Sequence, residues 1–588
     1  MQIQAFAEYL TRLDQTTKRL EITDILAQLI QEVETSEVEN AINLALGQLY
    51  APFKDLTFNV ADKMMLRALE DFDTTNSDIA SAYRKLGDLG DTASTLSHKK
   101  ASSLTINQTH AQLVEIANLE GSGSQEKKVV KLVELFKELD SNSLKYVVRI
   151  VLGTTRLGFT ATTIVDALSY VLGGNKDHSD SIEKVYNIHP DIALIAKQIK
   201  MHGMQGLAAI HIEIGVPILS EKPQRVASPD EVIEKMASKE IWIEYKLDGT
   251  RVQTHFDKGK PVGSDTKSLF EDDTQYFVGS YTRNLDDSTN QFPDVIEGVK
   301  KQLKATSVIL DGEAIGYDKT TGKFLDFQTT IKRKRKHGVS DSLAQIPLKY
   351  FVFDILYLDG KSLIELPLRE RKQILKDILL EGDTVEISPH VETHESKVVR
   401  TVFEEAKTKG LEGLVIKNPD KGYEAGARSF TWVKLKRIDE EGYSQGAADS
   451  VDCVVMGYYT GKGVRTQFGM GAFLAGIYDE ETLSFKSVTK VGTGMKEVDL
   501  EEIKKLCDKH VSKDKPSEYS VDKDLYPDVW VKPRIVVELR ADEITISPKH
   551  TATYALRFPR LIRIRTDKKA EQATSIKELE DLFLLQKK

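Results

Sequence analysis

Apolar positions in residues 1–215 recur at helical spacing. Leu26, Leu29, Ile30 and Val33 fall on one face, as do Leu132, Leu135, Phe136 and Leu139, and again Ile164, Ala167, Leu168 and Val171. Recurrence at i, i+3, i+4 and i+7 predicts amphipathic helices that each bury one stripe. The third helix has Thr160 or Thr162 as its capping candidates and Gly173-Gly174 as its stop. Gly121-Ser122-Gly123-Ser124 precedes another helix, and Leu157-Gly158 precedes the 160s helix. Backbone N–H groups at such starts are natural phosphate contacts, although a glycine-containing stretch before a helix is more often a plain loop.

The pattern then changes twice. Gly215-Val216-Pro217-Ile218-Leu219-Ser220-Glu221-Lys222-Pro223 breaks the helical period and reads as a linker. From about 240 to 437 short apolar runs predict strands: Val308-Ile309-Leu310, Tyr350-Phe351-Val352-Phe353 and Leu414-Val415-Ile416, with helical stretches such as 396–409 between them. A polar, glycine-containing linker is expected at 438–446. Beyond it, β-rich runs at 451–458, 472–478, 484–491 and 534–540 predict a small barrel or sandwich. An amphipathic stretch carrying Ile576, Leu579, Leu582 and Phe583 closes the chain. The expected division is an all-α domain over 1–215, an α+β domain over 216–437 and a β domain over 438–588. A chain of 588 residues is too long for one core, which agrees with several domains.

Composition narrows the class. No run of 18 apolar residues occurs, so no transmembrane helix and no membrane partner is expected. Met1 to Glu8 lacks a basic stretch followed by an apolar core, so no secretory signal is expected; the expected location is cytoplasmic and nucleoid-associated in a prokaryote, or nuclear in a eukaryote. The two cysteines, Cys453 and Cys507, cannot build a disulfide framework or a four-cysteine zinc site. The net charge of −9 argues against a nucleic-acid partner until its distribution is read. Lys332-Arg333-Lys334-Arg335-Lys336-His337 is one basic run. Arg557, Arg560, Arg563, Arg565, Lys568 and Lys569, opposed only by Asp567, form another. Either run alone reads as a solvated face; two of them keep a phosphate-rich partner open.

The run with the most chemistry is Glu244-Tyr245-Lys246-Leu247-Asp248-Gly249-Thr250-Arg251. Ile241, Ile243 and Tyr245 alternate with Trp242, Glu244 and Lys246, so Glu244 and Lys246 share one face of a strand that enters an Asp-Gly turn. A lysine at a strand end beside cations or away from water is a competent amine nucleophile. By itself the run more often marks a surface lysine before a hairpin. Other charges recur at strand ends: Asp311-Gly312-Glu313, Glu412 to Lys417, Trp432-Val433-Lys434-Leu435-Lys436, and Tyr281-Thr282-Arg283-Asn284. A lysine, two or more carboxylates for a divalent cation, and several cations together suit phosphoryl chemistry. No GxxxxGK[ST] loop and no HExxH occurs. Phe353 reads either as core or as a platform for a base.

These motifs resemble those of the covalent nucleotidyltransferases. Lys246-Leu247-Asp248-Gly249-Thr250-Arg251 is similar to their KxDGxR signature, Asp311-Gly312-Glu313 to motif III, Tyr350–Tyr357 to motif IIIa, Glu412–Lys417 to motif IV and Trp432–Lys436 to motif V. Arg557-Phe558-Pro559-Arg560 with Arg565-Thr566-Asp567-Lys568 resembles motif VI of ATP-dependent DNA ligases. The helical N-terminal region resembles the DNA-binding domain of the archaeal, replicative type. Capping enzymes and RNA ligases lack such a domain, and NAD-dependent ligases use a four-cysteine module that two cysteines cannot supply.

The resemblance implies a helical DNA-binding domain, an adenylation domain and a C-terminal OB-fold. It implies ATP as cofactor, with Mg²⁺ or Mn²⁺, and nicked double-stranded DNA as partner to a monomer. A sliding clamp is a further family partner, although no obvious clamp-binding peptide is seen. Lys246 is implied as the adenylated nucleophile. Glu244 would contact adenine and Phe353 would stack on it. Arg251 would reach the ribose or the nick, and Arg283 the phosphates. Glu313 and Glu412 would be ribose or metal ligands. Arg428, Lys434 and Lys436 would hold the nucleotide phosphate, with Lys417 also at the phosphate or active site. Arg557, Arg560 and Lys568 would orient pyrophosphate. Glu412 and Lys417 have opposite parity, so they must act at the two ends of their strand, or the strand must bulge.

Overall fold

The computed structural model describes residues 1–74, 79–259, 276–318, 324–325, 347–436, 450–461, 465, 468–493, 495–541 and 543–585. The basic run 332–337 and the linker expected at 438–446 lie outside the described residues. The chain forms two compact units, one of Met1–Ile79 with Leu89–Arg437 and one of Ala80–Asp88 with Ile438–Lys588.

The first unit opens with helices. The three predicted stripes lie on Arg19–Glu32, Ser124–Phe136 and Ala161–Gly173, and Leu26, Leu29, Leu132, Leu135, Ile164 and Leu168 are fully buried. Thr160 occupies the N-cap position of the third helix, but its side chain makes no capping hydrogen bond. Stronger caps sit elsewhere: Asp140 accepts from the N–H groups of Asn142 and Ser143 at 3.0 and 3.1 Å.

Residues 215–223 leave the helical pattern as expected, yet they are packed rather than hanging free. The N–H of Ile218 donates to Gln253 Oε1 at 2.7 Å, and Gln253 Nε2 donates back to the Ile218 carbonyl at 3.1 Å. Ile214 and Ile218 pack with Ile309, Leu356, Tyr423 and Trp432. An extended segment can be buried only if its backbone groups find partners, and here the Gln253 amide supplies two. Glu221 is fully buried beside Thr431 and the Glu424 N–H, and burial pushes its carboxyl up to about 7.

Eleven strands follow among the described residues of this unit: β1 (Gln224–Val226), β2 (Ile241–Lys246), β3 (Thr250–Asp257), β4 (Phe277–Thr282), β5 (Ser307–Gly316), β6 (Leu348–Leu358), β7 (Lys361–Ser362), β8 (Val385–Ile387), β9 (Val391–Thr393), β10 (Gly413–Lys417) and β11 (Trp432–Lys436). They make two sheets. One has the order β1-β11-β10-β2-β9; the other has the order β4-β3-β5-β6-β7, with β8 alongside β6. One apolar core, with Ile243, Leu414, Ile416, Val433 and Phe403, backs the first sheet. Another, with Val252, Leu310, Val352 and Val295, backs the second. The Asp248-Gly249 turn carries the chain from β2 to β3, and so from one sheet to the other. A Cβ on Gly249 would lie 2.5 Å from the Ala314 carbonyl oxygen, so the close approach of this turn to β5 demands glycine.

The second unit is sheet-rich. Its strands are β12 (Val451–Tyr459), β13 (Ala472–Asp479), β14 (Ser484–Val491), β15 (Val511–Ser512), β16 (Tyr519–Ser520), β17 (Val529–Val531), β18 (Val536–Arg540), β19 (Glu543–Ile546), β20 (Tyr554–Arg557) and β21 (Arg560–Ile564). Eight of them form one sheet, and β19 pairs with β20 as a separate ribbon. The helix Ile576–Leu585 packs Leu579 and Phe583 into the core of this unit, as its amphipathic pattern predicts.

Candidate active site

Cross-strand register assembles the site. Lys246 pairs with Gly413 and Gly413 with Lys436; Glu244 pairs with Val415 and Val415 with Lys434; Trp242 pairs with Lys417 and Lys417 with Trp432. Because alternate residues face the same way, Glu244, Lys246, Val415, Lys417, Trp432, Lys434 and Lys436 share one face of the first sheet. The facing wall comes from the second sheet, where Arg251, Glu313 and Phe351 stand in one row. Between them lies a cavity of about 550 Å³. It is lined by Glu244, Lys246, Arg251, Arg283, Glu313, Phe353, Glu412, Lys417, Lys434 and Lys436, which brings together ten of the residues singled out from sequence.

Lys246 Nζ and Lys436 Nζ (2.6 Å) both contact the Glu412 carboxylate. Glu412 lies just outside β10, and its N–H donates to the Lys246 carbonyl at 3.2 Å. Gly413 has φ 146°, and a Cβ there would meet the Leu435 carbonyl oxygen at 2.1 Å. This glycine re-aims the chain, so Glu412 and Lys417 serve the same cavity from the two ends of the strand. The two lysines hold the Glu412 carboxyl below its usual range against the cost of burial.

Glu244 is buried between two ammonium groups, Lys372 Nζ at 3.0 Å and Lys417 Nζ at 2.9 Å. Lys417 Nζ also lies over the rings of Phe353 (4.3 Å) and Trp432 (4.2 Å). Phe353 meets Trp432 edge-on at 5.8 Å. Arg251 is committed to a buried fork: Nε and Nη2 donate to Asp311 at 3.0 and 2.6 Å, and Nη1 donates to the Glu221 carbonyl at 2.7 Å. Tyr423 adds a donor to the same Asp311 at 2.8 Å.

The cavity is electropositive at one end. Burial, then Lys436, Lys246, Arg428 and Arg283, bring the Lys434 ammonium down to about 8. Arg428 is therefore close to the cavity, although it is not part of its lining. Cations that depress one another favour an anion among them. Sequence reasoning missed Lys222, Ser388 and Thr250, which also line the cavity, and Lys372 behind it. Thr250 Oγ1 is buried without a partner.

Glu313 faces this cluster from the opposite sheet. Burial pushes its carboxyl up to about 7, with Lys246 and Arg251 opposing and Glu412 reinforcing the shift. Above its unfolded value, near 4.5, the folded chain keeps a proton that the unfolded chain releases. Stability is therefore lost as pH rises through about 7. Glu313→Gln is expected to weaken that slope and to raise the melting midpoint at pH 8, by roughly 1–2 kcal/mol of stability, with the gain shrinking towards acid pH. Thermal scans across pH check this, and an unaltered slope would contradict it.

Among the described residues no group of three or more His, Cys, Asp or Glu side chains forms a metal cage. Glu313 and Glu412 are two of the four carboxylates that line the cavity, with Glu244, which is committed to two lysines, and Asp286. A raised carboxyl beside a second carboxylate fits Mg²⁺, which takes one or two carboxylates and completes its shell with phosphates and water.

The other three residues lie in the second unit. Arg557 ends β20 and Arg560 begins β21, flanking an exposed Phe558 at φ 51°. Lys568 Nζ contacts Asp452 at 2.6 Å, and Arg565 bridges Asp452 and Asp567 at 3.0 and 2.8 Å.

A lysine, carboxylates and a bank of cations on two facing sheets suit nucleotidyl transfer, and comparison with known proteins gives the class. Three family models match: DNA ligase N terminus over residues 2–169, ATP dependent DNA ligase domain over 269–436, and ATP dependent DNA ligase C terminal region over 466–568. A probable DNA ligase of Dictyoglomus turgidum is 39% identical over 591 residues, covering 99% of this chain and 97% of its own length. DNA ligase 1 of Methanosarcina mazei is 34% identical over 598 residues, covering 99% of each chain. The solved structure of Pmar-Lig_PreS3 shares the fold, with a TM-score of 0.56 at 16% identity over 95% of this chain and 99% of that one. The chain belongs to the ATP-dependent DNA ligase family, with that family's three-part architecture. Among the described residues, no helix is long and apolar enough to cross a membrane.

Proposed function

We propose that this ligase seals nicks in duplex DNA through a covalent lysyl-AMP intermediate on Lys246, acting as a cytoplasmic monomer in replication, repair and recombination. The observation that carries this reading is the convergence of Lys246, Glu412, Glu313, Lys434 and Lys436 on one cavity. In the first step the Lys246 amine, having lost a proton, attacks the α-phosphorus of ATP. A P–N bond forms, the bond to the bridging oxygen breaks, and pyrophosphate leaves with the electron pair. The AMP then passes to the 5′-phosphate at the nick. The 3′-hydroxyl displaces it, closing the phosphodiester.

Glu244 meets the adenine and Phe353 stacks on it. Arg283, Arg428, Lys434, Lys436 and Lys417 counter phosphate charge, each worth most where water is excluded. Arg251, tied to Asp311, orients the ribose side of the cavity. A divalent cation held by Glu313 and Glu412 would neutralise phosphate oxygens when bound. Residues 1–215 form the DNA-binding domain, 216–437 the adenylation domain, and 438–588 an OB-fold that carries Arg557, Arg560 and Lys568 to the pyrophosphate.

DNA is held mainly through its phosphates, so binding weakens steeply with salt. The test combines sealing and binding. A nicked duplex with 3′-hydroxyl and 5′-phosphate ends should be joined with ATP and Mg²⁺, and nicked-duplex affinity should fall by about tenfold or more between 50 and 200 mM salt. Joining without ATP, or an affinity independent of salt, would contradict the reading.

A further inference from the structure

We infer that Lys372 is a positioning residue that sets the preference for adenine, by holding the Glu244 carboxylate in the cavity wall as an anionic hydrogen-bond acceptor. The inference rests on the reading that Glu244 meets the adenine amino group.

Lys372 lies on the helix Leu368–Ile378, whose buried face also carries Leu368, Arg371, Leu375 and Ile378. Two cations on one buried helix face need explaining. Arg371 is matched by Asp354, its Nε and Nη2 donating to the two carboxylate oxygens at 2.7 and 2.8 Å. Lys372, 1% exposed, has no carboxylate of its own. It shares Glu244 with Lys417, which is equally buried.

One lysine would neutralise Glu244. A second leaves net positive charge in the interior, which is costly and gains nothing in packing alone. Lys417 enters from the cavity side, stacked on Phe353 and Trp432. Lys372 reaches Glu244 from behind the cavity lining, and its Nζ also donates to the Ser388 carbonyl at 3.0 Å. Ser388 Oγ in turn donates to Glu244 Oε2 at 3.2 Å. Glu244 Oε2 thus has donors, whereas Oε1 accepts no well-aligned hydrogen bond although Lys372 Nζ is 3.0 Å away. Lys372 thus fixes the Oε1 side of the carboxylate from behind, while Lys417 and Ser388 fix Oε2, and together they hold the group in the cavity wall.

On the proposed reading, the 6-amino group of adenine donates to this carboxylate. Guanine presents O6 there, an acceptor that an ionised carboxylate repels. Both lysines hold Glu244 ionised against full burial. With Lys372 removed, Lys417 still balances the charge at Oε2, but nothing fixes the Oε1 side, so the carboxylate no longer holds one orientation towards the base.

The experiment measures transfer of nucleotide onto the full-length protein from ATP and from purine riboside triphosphate, which lacks the 6-amino group. In the wild type, losing that group should lower kcat/KM by roughly ten- to a hundredfold, mostly through KM. In Lys372→Met the same comparison should give a ratio within about threefold of unity, because the contact to the amino group is gone. Lys372→Arg should restore most of the ratio. Should the methionine variant fail to fold, Lys372→Gln is judged by the same ratio. A folded variant that keeps the wild-type ratio overturns the role of Lys372 and leaves the Glu244 reading standing. A wild-type ratio near unity overturns the Glu244 reading itself, and the inference with it.

Discussion

Replacing Lys246 by alanine should abolish transfer of AMP to the protein, and nick sealing with it, by at least ~10⁴-fold, the scale seen when a covalent nucleophile is removed. Nicked-duplex binding should stay within about threefold of wild type, since one cavity lysine adds little to a phosphate-dominated interface. The variant should fold. Lys246 is partly exposed at the end of β2, its contact is the Glu412 carboxylate, and Lys436 remains to balance that charge. Measuring both activities separates a lost nucleophile from a lost DNA site. Retained labelling of the alanine variant by radioactive ATP would remove the basis of the mechanism.

Glu412→Ala should come next in severity. The carboxylate is the common partner of Lys246 and Lys436, and it is one of the two proposed above to hold a divalent cation. Its removal leaves two like charges side by side with nothing to hold the nucleophile in line. A loss of about 10²–10³-fold in the rate of AMP transfer is expected, comparable with deleting one preorganised electrostatic group. The effect should be kinetic rather than structural, with a melting midpoint within a few degrees of wild type, because Glu412 sits outside its strand and is partly exposed. Single-turnover labelling with ATP, alongside a thermal scan, checks both parts. A variant within threefold of the wild-type rate would show that Glu412 neither positions Lys246 nor supports the cation.

Much of this site was legible in the sequence because its information is local. Alternation along Ile241–Lys246 already placed Glu244 and Lys246 on one face, and the same rule placed Lys434 with Lys436. The parity conflict between Glu412 and Lys417 was also visible, but its resolution needed backbone geometry. Only the close approach of Gly413 to Leu435 shows that the two residues act from opposite strand ends.

What stayed hidden depends on tertiary packing. Lys372 reaches Glu244 from a helix more than a hundred residues away in sequence. One signal was available: Arg371 and Lys372 stand at positions where the stripe Leu368, Leu375, Ile378 calls for apolar residues, and a charge in an apolar phase asks for a buried partner. Lys222 was hidden for another reason. Its segment looked like a linker from its proline and its broken period, and nothing local reports that Gln253 would satisfy the backbone of that segment. Net charge misled in a third way, since a whole-chain sum hides a cavity in which Lys434 is surrounded by three other cationic residues and Lys246.

The most direct test of the central claim is mass spectrometry of the protein after incubation with ATP and Mg²⁺, followed by peptide mapping. The account predicts a mass gain equal to one AMP, located on the peptide carrying Lys246 and released by added pyrophosphate. An unmodified protein, or AMP attached at any other residue, would contradict it.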